Sequence, residues 1–502
     1  LSPTGAVMWV PLWGEGYVVE VDTATMTVTN EIETGGSPYA TCISNDGDDD
    51  ENDETVFVTD FYGAPAAGEL EATDGARDGR VFSITPGNGF VSELRLPALT
   101  SSGTNGFEAT GAYHNQLYSC AIHDDVLYVT SVGASPASFN NGTDFHQNLQ
   151  GLVHRVPLDG SGPDAQPIDL NALVDDLAAP KRFVPVPSDI AFAEIGDVAY
   201  ISSLVSDSVL RVDFGMDPPV AGSPGGASFL GASQSPTGVA IANNELYVAN
   251  EVARSISDID LSMQVTVTAD VETATLPGNA ADLEVLLGQR FFNTGLGRWS
   301  TNGWCSCVGC HPFGTTDNIT WSFPAGPRQT VDTAASFNTG ATEQRIFNWT
   351  AIFDEVHDFE LNTRGVAGGT GAIVNSTMLN ANGTANVAAQ IDIGNAASPI
   401  NAFNIGSARA VALLGATPDD WEAIDAYMGS LRSQANSSDD SVLLELRGKY
   451  VAEIVDESGV LKGRRPWQRE ARQDDRMVAE RLDEILQKNK IETQVDLVKT
   501  AH

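Results

Sequence analysis

The sequence predicts a multidomain chain: an all-β propeller of six or seven blades over residues 1–275, a mainly α domain over 280–433, and a linker with a helical tail over 434–502. Three observations carry this. Short apolar runs with turn residues between them recur through the first half. Helical spacing begins near Asn279 and leads into Cys307-x-x-Cys310-His311. Beyond Ser433 the Gly and turn bias gives way to Lys, Arg, Glu and Leu.

In the first region, Val7-Met-Trp-Val10, Tyr17-Val-Val-Glu-Val21, Thr55-Val-Phe-Val-Thr59, Val126-Leu-Tyr-Val-Thr130, Val198-Ala-Tyr-Ile-Ser202 and Val209-Leu-Arg-Val212 read as strands. A unit repeats. Ser37-Pro-Tyr-Ala leads into Thr55-Val-Phe-Val, Pro187-Ser-Asp-Ile into Val198-Ala-Tyr-Ile, and Ser235-Pro-Thr-Gly into Glu245-Leu-Tyr-Val-Ala-Asn250. Each is a proline turn, a strand, a short turn and an aromatic-bearing strand. Propeller blades run ~40 residues, which fits six or seven into this length. The units resemble β-propellers built from YVTN-type repeats, with Tyr247-Val-Ala-Asn250 nearest that signature. A pair of β-sandwiches is the alternative.

Two features of this region could hold metal. Asp46, Asp48 and Asp50 alternate in an acidic stretch and could offer oxygens to calcium. The EF-hand pattern is not met, because Glu51 stands at its glycine and Phe57 at its bidentate glutamate. A solvated acidic loop is the plain alternative. His114, His123, His146 and His154 could gather around copper, but no pair shows ligand spacing on one element. Scattered surface and strand histidines account for them equally well.

In the second region, Leu283, Leu286, Leu287 and Phe291 follow helical spacing. Cys307-x-x-Cys310-His311 is the attachment sequence of one c-type haem. Two thiols three positions apart reach the two vinyl groups on one porphyrin edge, and the next residue brings an imidazole to the iron. A zinc site would need a second ligand pair, which the sequence lacks. Leu287-Gly-Gln-Arg-Phe-Phe292, then Leu296, Ser300, Asn302-Gly303 and the cysteine motif, resemble the di-haem cytochrome c peroxidase superfamily. Gly326-Pro-Arg-Gln-Thr330 and Ala335-Ser-Phe are similar to that family's Arg-x-Thr-Pro-x-Leu stretch, which implies Arg328 at a haem propionate. The departure is large. That family uses two haems and this sequence has one motif, so a single-haem electron carrier is expected rather than a peroxidase or oxidase with an open iron site. The sixth iron ligand is expected at Met378, with His357 as second choice. Met428 falls on an apolar stripe with Trp421, Ile424 and Leu431 and reads as core.

The net charge is −40. Residues 1–432 hold 15 Lys+Arg against 53 Asp+Glu, and residues 433–502 hold 12 against 14. The first part repels nucleic acid and anionic membranes and would draw basic partners or divalent cations. No apolar run is long enough to span a membrane. Haem c is attached outside the cytoplasm, so a periplasmic, cell-surface or extracellular protein is expected, with its export signal removed. Cys42, Cys120 and Cys305 remain beyond the motif. One pair could form a disulfide, and the sequence does not choose it. The tail carries two short amphipathic stretches and a basic segment, Lys462-Gly-Arg-Arg-Pro-Trp-Gln-Arg, suited to self-association. The redox partner is expected to be a protein.

Overall fold

A computed structural model describes residues 1–337 apart from 49, 88, 103–109, 138–147, 176, 179–180, 223–227, 263–266, 297–298, 324–325 and 335, together with 347–348, 356–359, 367 and 420–431. By internal contacts Leu1–Arg432 form one compact unit and Ser433–His502 another. The tail stretches and Met378 lie outside the described residues.

The first region is a series of five antiparallel sheets. Blade 1 holds β1 (Val7–Leu12), β2 (Tyr17–Asp22) and β3 (Thr27–Glu33). Blade 2 holds β4 (Pro38–Ile43), β5 (Val56–Pro65), β6 (Arg77–Thr85) and β7 (Phe90–Leu96). Blade 3 holds β8 (Leu99–Ser102), β9 (Thr110–His123), β10 (Val126–Ala134), β11 (Leu149–Pro157) and β12 (Ile168–Asp169), followed by helix α1 (Leu170–Asp175). Blade 4 holds β13 (Pro187–Phe192), β14 (Val198–Ser203), β15 (Ser208–Asp213), β16 (Val220–Ala221) and β17 (Phe229–Gly231). Blade 5 holds β18 (Pro236–Ala242), β19 (Glu245–Asn250), β20 (Ser255–Asp260) and β21 (Val267–Glu272).

The strands β1, β4, β9, β13 and β18 lie side by side in that order, one from each sheet. That adjacency is propeller-like, because sheets repeated around an axis set one strand of each in a single row and a pair of two-sheet sandwiches does not. Among the described residues the blade number is five rather than six or seven. Blades 2 and 3 are longer than the ~40-residue unit, because their strands are long and excursions separate β5 from β6 and β10 from β11.

Local patterning explains the strands. In β19, Leu246 and Val248 are buried while Tyr247 and Ala249 face out, the period-2 alternation of a half-buried strand. β10 is buried from Leu127 to Ala134, as befits the centre of a five-stranded sheet. A disulfide joins Cys42 on β4 to Cys120 on β9, so it ties blade 2 to blade 3, and Cys305 is a buried thiol outside it.

The second region packs on these sheets. Helix α2 (Ala280–Asn293) is capped by Asn279, whose side chain accepts from the Asp282 amide at 2.9 Å. One turn, α3 (Cys307–Cys310), carries the cysteines. A hairpin of β22 (Thr320–Phe323) and β23 (Gly326–Gln329) follows, and α4 (Asp420–Ser430) comes last. The described part of 280–431 holds less helix than a mainly α domain would. Gly, Asn, Pro and Thr fill the chain on either side of α3, and these residues favour turns. α2 and α4 pack closely at Gly288, where any side chain would overlap the Ala423 carbonyl. Trp421, Ile424 and Met428 are buried in that contact, as the apolar stripe predicts.

Candidate functional site

The site is built on α2 and the chain that follows. Arg290, fully buried, forms a bidentate pair with Asp207 in the β14–β15 turn. Arg182 donates to the carbonyls of Ser206 (2.6 Å) and Asp207 (3.0 Å). Burial pulls the Arg182 guanidinium down to about 9, against the favourable charge of Asp207. α2 is thereby fastened to blade 4. Beyond it, the Gly295 amide donates to the Val205 carbonyl (3.0 Å) and the Phe183 amide to the Asn302 carbonyl (3.0 Å). Trp304 is buried against Phe183, and its indole N–H donates to the Leu149 carbonyl at 3.0 Å.

These anchors deliver Cys307, Cys310 and His311 on one helical turn, closed by the His311 amide donating to the Cys307 carbonyl at 2.8 Å. Blade 3 holds the turn from below. The Gln116 side-chain amide donates to the Gly309 carbonyl (2.8 Å), and Asn115 donates to the Asp317 carbonyl (3.1 Å). The Asp317 amide returns to the Cys310 carbonyl at 3.0 Å. On blade 2, the Tyr62 hydroxyl donates to the Thr316 carbonyl at 2.9 Å.

The electrostatics favour neutral forms. His311 Nδ1 lies 3.2 Å from the Thr315 carbonyl, an arrangement in which Nδ1–H donates and Nε2 stays outside that bond. Burial pulls the imidazole down to about 4, although backbone bonds to Thr315 and Val331 oppose it. It is therefore neutral at pH 7, the form that ligates metal. Cys307 and Cys310 keep some accessible surface, yet the atoms crowded around their sulphurs push the Cys307 thiol up to about 12 and the Cys310 thiol well above its usual range. Asp317, fully buried, is pushed up to about 7 by burial, although Ile319 N–H (2.9 Å) and the Trp321 indole (3.0 Å) donate to it.

Other expected site residues fall elsewhere. Arg328 lies on β23 opposite Trp321, with its guanidinium 5.6 Å from the Phe323 ring centre. His357 sits in a short helical turn, Val356–Phe359, and its side chain lies outside the described residues. In the acidic loop the carboxylates of Asp46, Asp48 and Asp53 come within 4.8 Å of one another, so Asp53 stands in the group where Asp50 was expected. The reason is local: Asp50 turns its carboxylate back to the Asn52 amide (3.1 Å) and side chain (2.9 Å).

Of the four histidines, His114 and His154 meet, at 2.9 Å. Their outer nitrogens bond Ser131 Oγ (2.7 Å) and the Asp164 carbonyl (2.8 Å), leaving none for a metal. His123 stacks on Phe192 and faces Asp197 at 3.3 Å, and His146 lies outside the described residues. The sequence reading missed Asn115, Gln116, Asp207 and Asp317. A signal existed for the first two: three polar residues, His114-Asn-Gln116, interrupt an apolar strand.

No family model matches the sequence, and no curated protein matches it. Solved structures similar in part include the hydrazine synthase of Kuenenia stuttgartiensis, at 16% identity, TM-score 0.38, over 52% of this chain and 70% of that one. A protein of unknown function from Bacteroides caccae is similar at 12% identity, TM-score 0.32, over 54% and 74%. A functionally unknown protein from Desulfotomaculum acetoxidans is similar at 14% identity, TM-score 0.26, over 51% and 75%. The propeller-like reading rests on the sheet order itself.

Proposed function

We propose that Cys307, Cys310 and His311 hold one covalent haem c, and that the protein passes single electrons to a partner protein while the propeller serves as scaffold or docking body. One observation carries this reading: both thiols and a neutral, oriented imidazole share a single helical turn, with the spacing that haem c attachment requires. When bound, the haem supplies one-electron chemistry at iron. The chain's own part is to hold and shield. Thr315 orients the His311 ring through Nδ1, as backbone partners do for ligating histidines, and Val331 also bonds the ring. Phe292, 6.3 Å from His311 between ring centres, and Tyr427, stacked edge-on against Phe292, offer an apolar wall that limits water. Met378 is the proposed second iron ligand, with His357 as second choice, and Arg328 the proposed propionate partner. Calcium at Asp46, Asp48 and Asp53, and self-association through the tail, belong to the same reading. The Cys42–Cys120 bond fits a periplasmic, cell-surface or extracellular location, since disulfides persist in oxidising compartments.

The test is an absorption spectrum of the purified protein, ferric and ferrous, with carbon monoxide then added. Electron transfer predicts a low-spin spectrum that ignores carbon monoxide, and covalent haem that is lost in Cys307→Ala/Cys310→Ala. Rapid carbon monoxide binding would replace electron transfer with peroxidase-like chemistry. Absence of covalent haem in protein made with haem-attachment machinery would end the reading.

A further inference from the structure

A cavity of about 410 Å³ lies where the inner strands of blades 2 to 5 meet the cysteine turn. Tyr39 on β4, Tyr118 on β9, Asp189 on β13 and Thr237 on β18 line one side, and Phe313 and Tyr427 close the other. Cys307, Cys310 and His311 do not line it, but Val308 of the cysteine turn and Tyr427, the wall proposed above for haem, do, so it adjoins the proposed haem position.

Its chemistry is one-sided. Two carboxylates, Asp189 and Glu251, face it, and no Lys, Arg or His lines it. Asp189 is fixed by Ser119 Oγ (2.5 Å) and the amides of Ile190 (2.9 Å) and Val239 (2.8 Å). Glu251 accepts from the Gln289 side chain at 2.8 Å. Neither has an ion-pair partner among the described residues. Surrounding protein raises both above the usual carboxylate range. Asp189 is hydrogen-bonded at both oxygens, whereas the Glu251 charge meets the neutral Gln289 donor and is under-compensated, which is costly in a crowded, apolar setting. The Glu251 charge is felt by Tyr39, Tyr118 and Tyr427. Aromatic faces beside an unpaired carboxylate attract an organic cation through the ring quadrupole and the full charge together. A bare metal ion suits the cavity less well. Calcium takes six or more oxygens, and no third metal-ligating group gathers with these two carboxylates among the described residues.

We infer that this cavity binds a small organic ammonium ion, a primary or methylated amine with an apolar body, with Glu251 pairing its charge and Tyr39, Tyr118, Phe313 and Tyr427 enclosing it. The volume falls within the range of small-molecule sites, about 300–1,000 Å³. This goes beyond the haem reading, with which it shares Tyr427 as a wall.

The test is calorimetric titration of the purified full chain at pH 7 with benzyltrimethylammonium, and separately with neutral benzyl alcohol. The expected result is saturable binding of the cation, at least tenfold weaker binding of the alcohol, and at least a tenfold loss of cation affinity in Glu251→Gln. Equal affinity for cation and alcohol, no cation binding by folded wild type, or unchanged affinity in Glu251→Gln would overturn it. Displacement of the cation by equimolar calcium chloride would also overturn it, in favour of a metal. If Glu251→Gln fails to fold, the wild-type comparison of cation with alcohol decides alone. Protein that binds the cation but carries no haem would sink the redox reading and leave this one standing.

Discussion

The propeller and the cysteine segment solve the same problem, fixing backbone in place, by different means. In blades 1 to 5 the chain pairs with its own sequence neighbours, hairpin after hairpin, as in the β18–β19–β20–β21 meander. Between residues 294 and 318 it has little regular structure of its own. There its carbonyls and amides find partners far away in sequence: Val205, Phe183, Leu149, Gln116, Asn115 and Tyr62. The comparison teaches that the propeller acts as a jig. The conformation of the cysteine turn is stored in blades 2 to 4, and mutations in those blades should disturb the site without touching it.

The comparison breaks most sharply at Asp207. Asp207→Asn keeps the size and tolerates its left-handed backbone (φ 48°), but removes the carboxylate that pairs with the buried Arg290 guanidinium. A loss of about 3–5 kcal/mol is expected. Hydrogen exchange should show it first in peptides from 280–318, and exchange that rises only in blade 5 would mean that the ion pair does not fasten α2. The opposite case is Cys42→Ala/Cys120→Ala. The bond closes a loop with a sequence separation of 78, so chain entropy predicts a loss of about 4 kcal/mol. Urea unfolding should record this loss in the propeller, with little prior change around the cysteine turn.

Gln116→Leu should cost less, about 1–3 kcal/mol, by leaving the Gly309 carbonyl unpaired. Its signature would be a change in the ligand field of bound haem with the propeller intact. An unaltered spectrum would show that blade 3 does not set the turn. A more gradual effect, spread over pH, is expected within blade 3. Burial lowers His154 to about 4, against an unfolded value near 6.5. The folded protein keeps it neutral while the unfolded chain takes up a proton, so stability is unaffected above pH 6.5 and falls as pH drops from 6.5 to 4. Relative to His154→Gln, the wild type should lose about 1.4 kcal/mol per pH unit in that window. Parallel profiles for the two proteins would contradict this assignment.

The strands were legible because each satisfies a local rule. Alternating Leu246 and Val248 mark a half-buried strand whatever surrounds it. Helix α2 was legible for the same reason, through its Asn279 cap and apolar spacing. The blade count was not, because excursions lengthen blades 2 and 3 without leaving a periodic trace. In the acidic loop, alternation pointed to Asp50, but side-chain bonds back to Asn52 withdrew it and Asp53 took its place.

The sequence by itself determined the spacing of Cys307, Cys310 and His311 on which the proposed haem attachment rests, since that spacing is local and the fold cannot change it. It also determined the β and helical periods, which depend only on near neighbours. Tertiary structure decided what holds that motif and what lies beside it: Gln116 under Gly309, Asp207 against Arg290, Cys42 bonded to Cys120, and two carboxylates facing an aromatic cavity. Those pairings join residues 78 to 193 positions apart. Only packing of the sheets into a common body brings such groups within reach, and burial then gives each bond its weight.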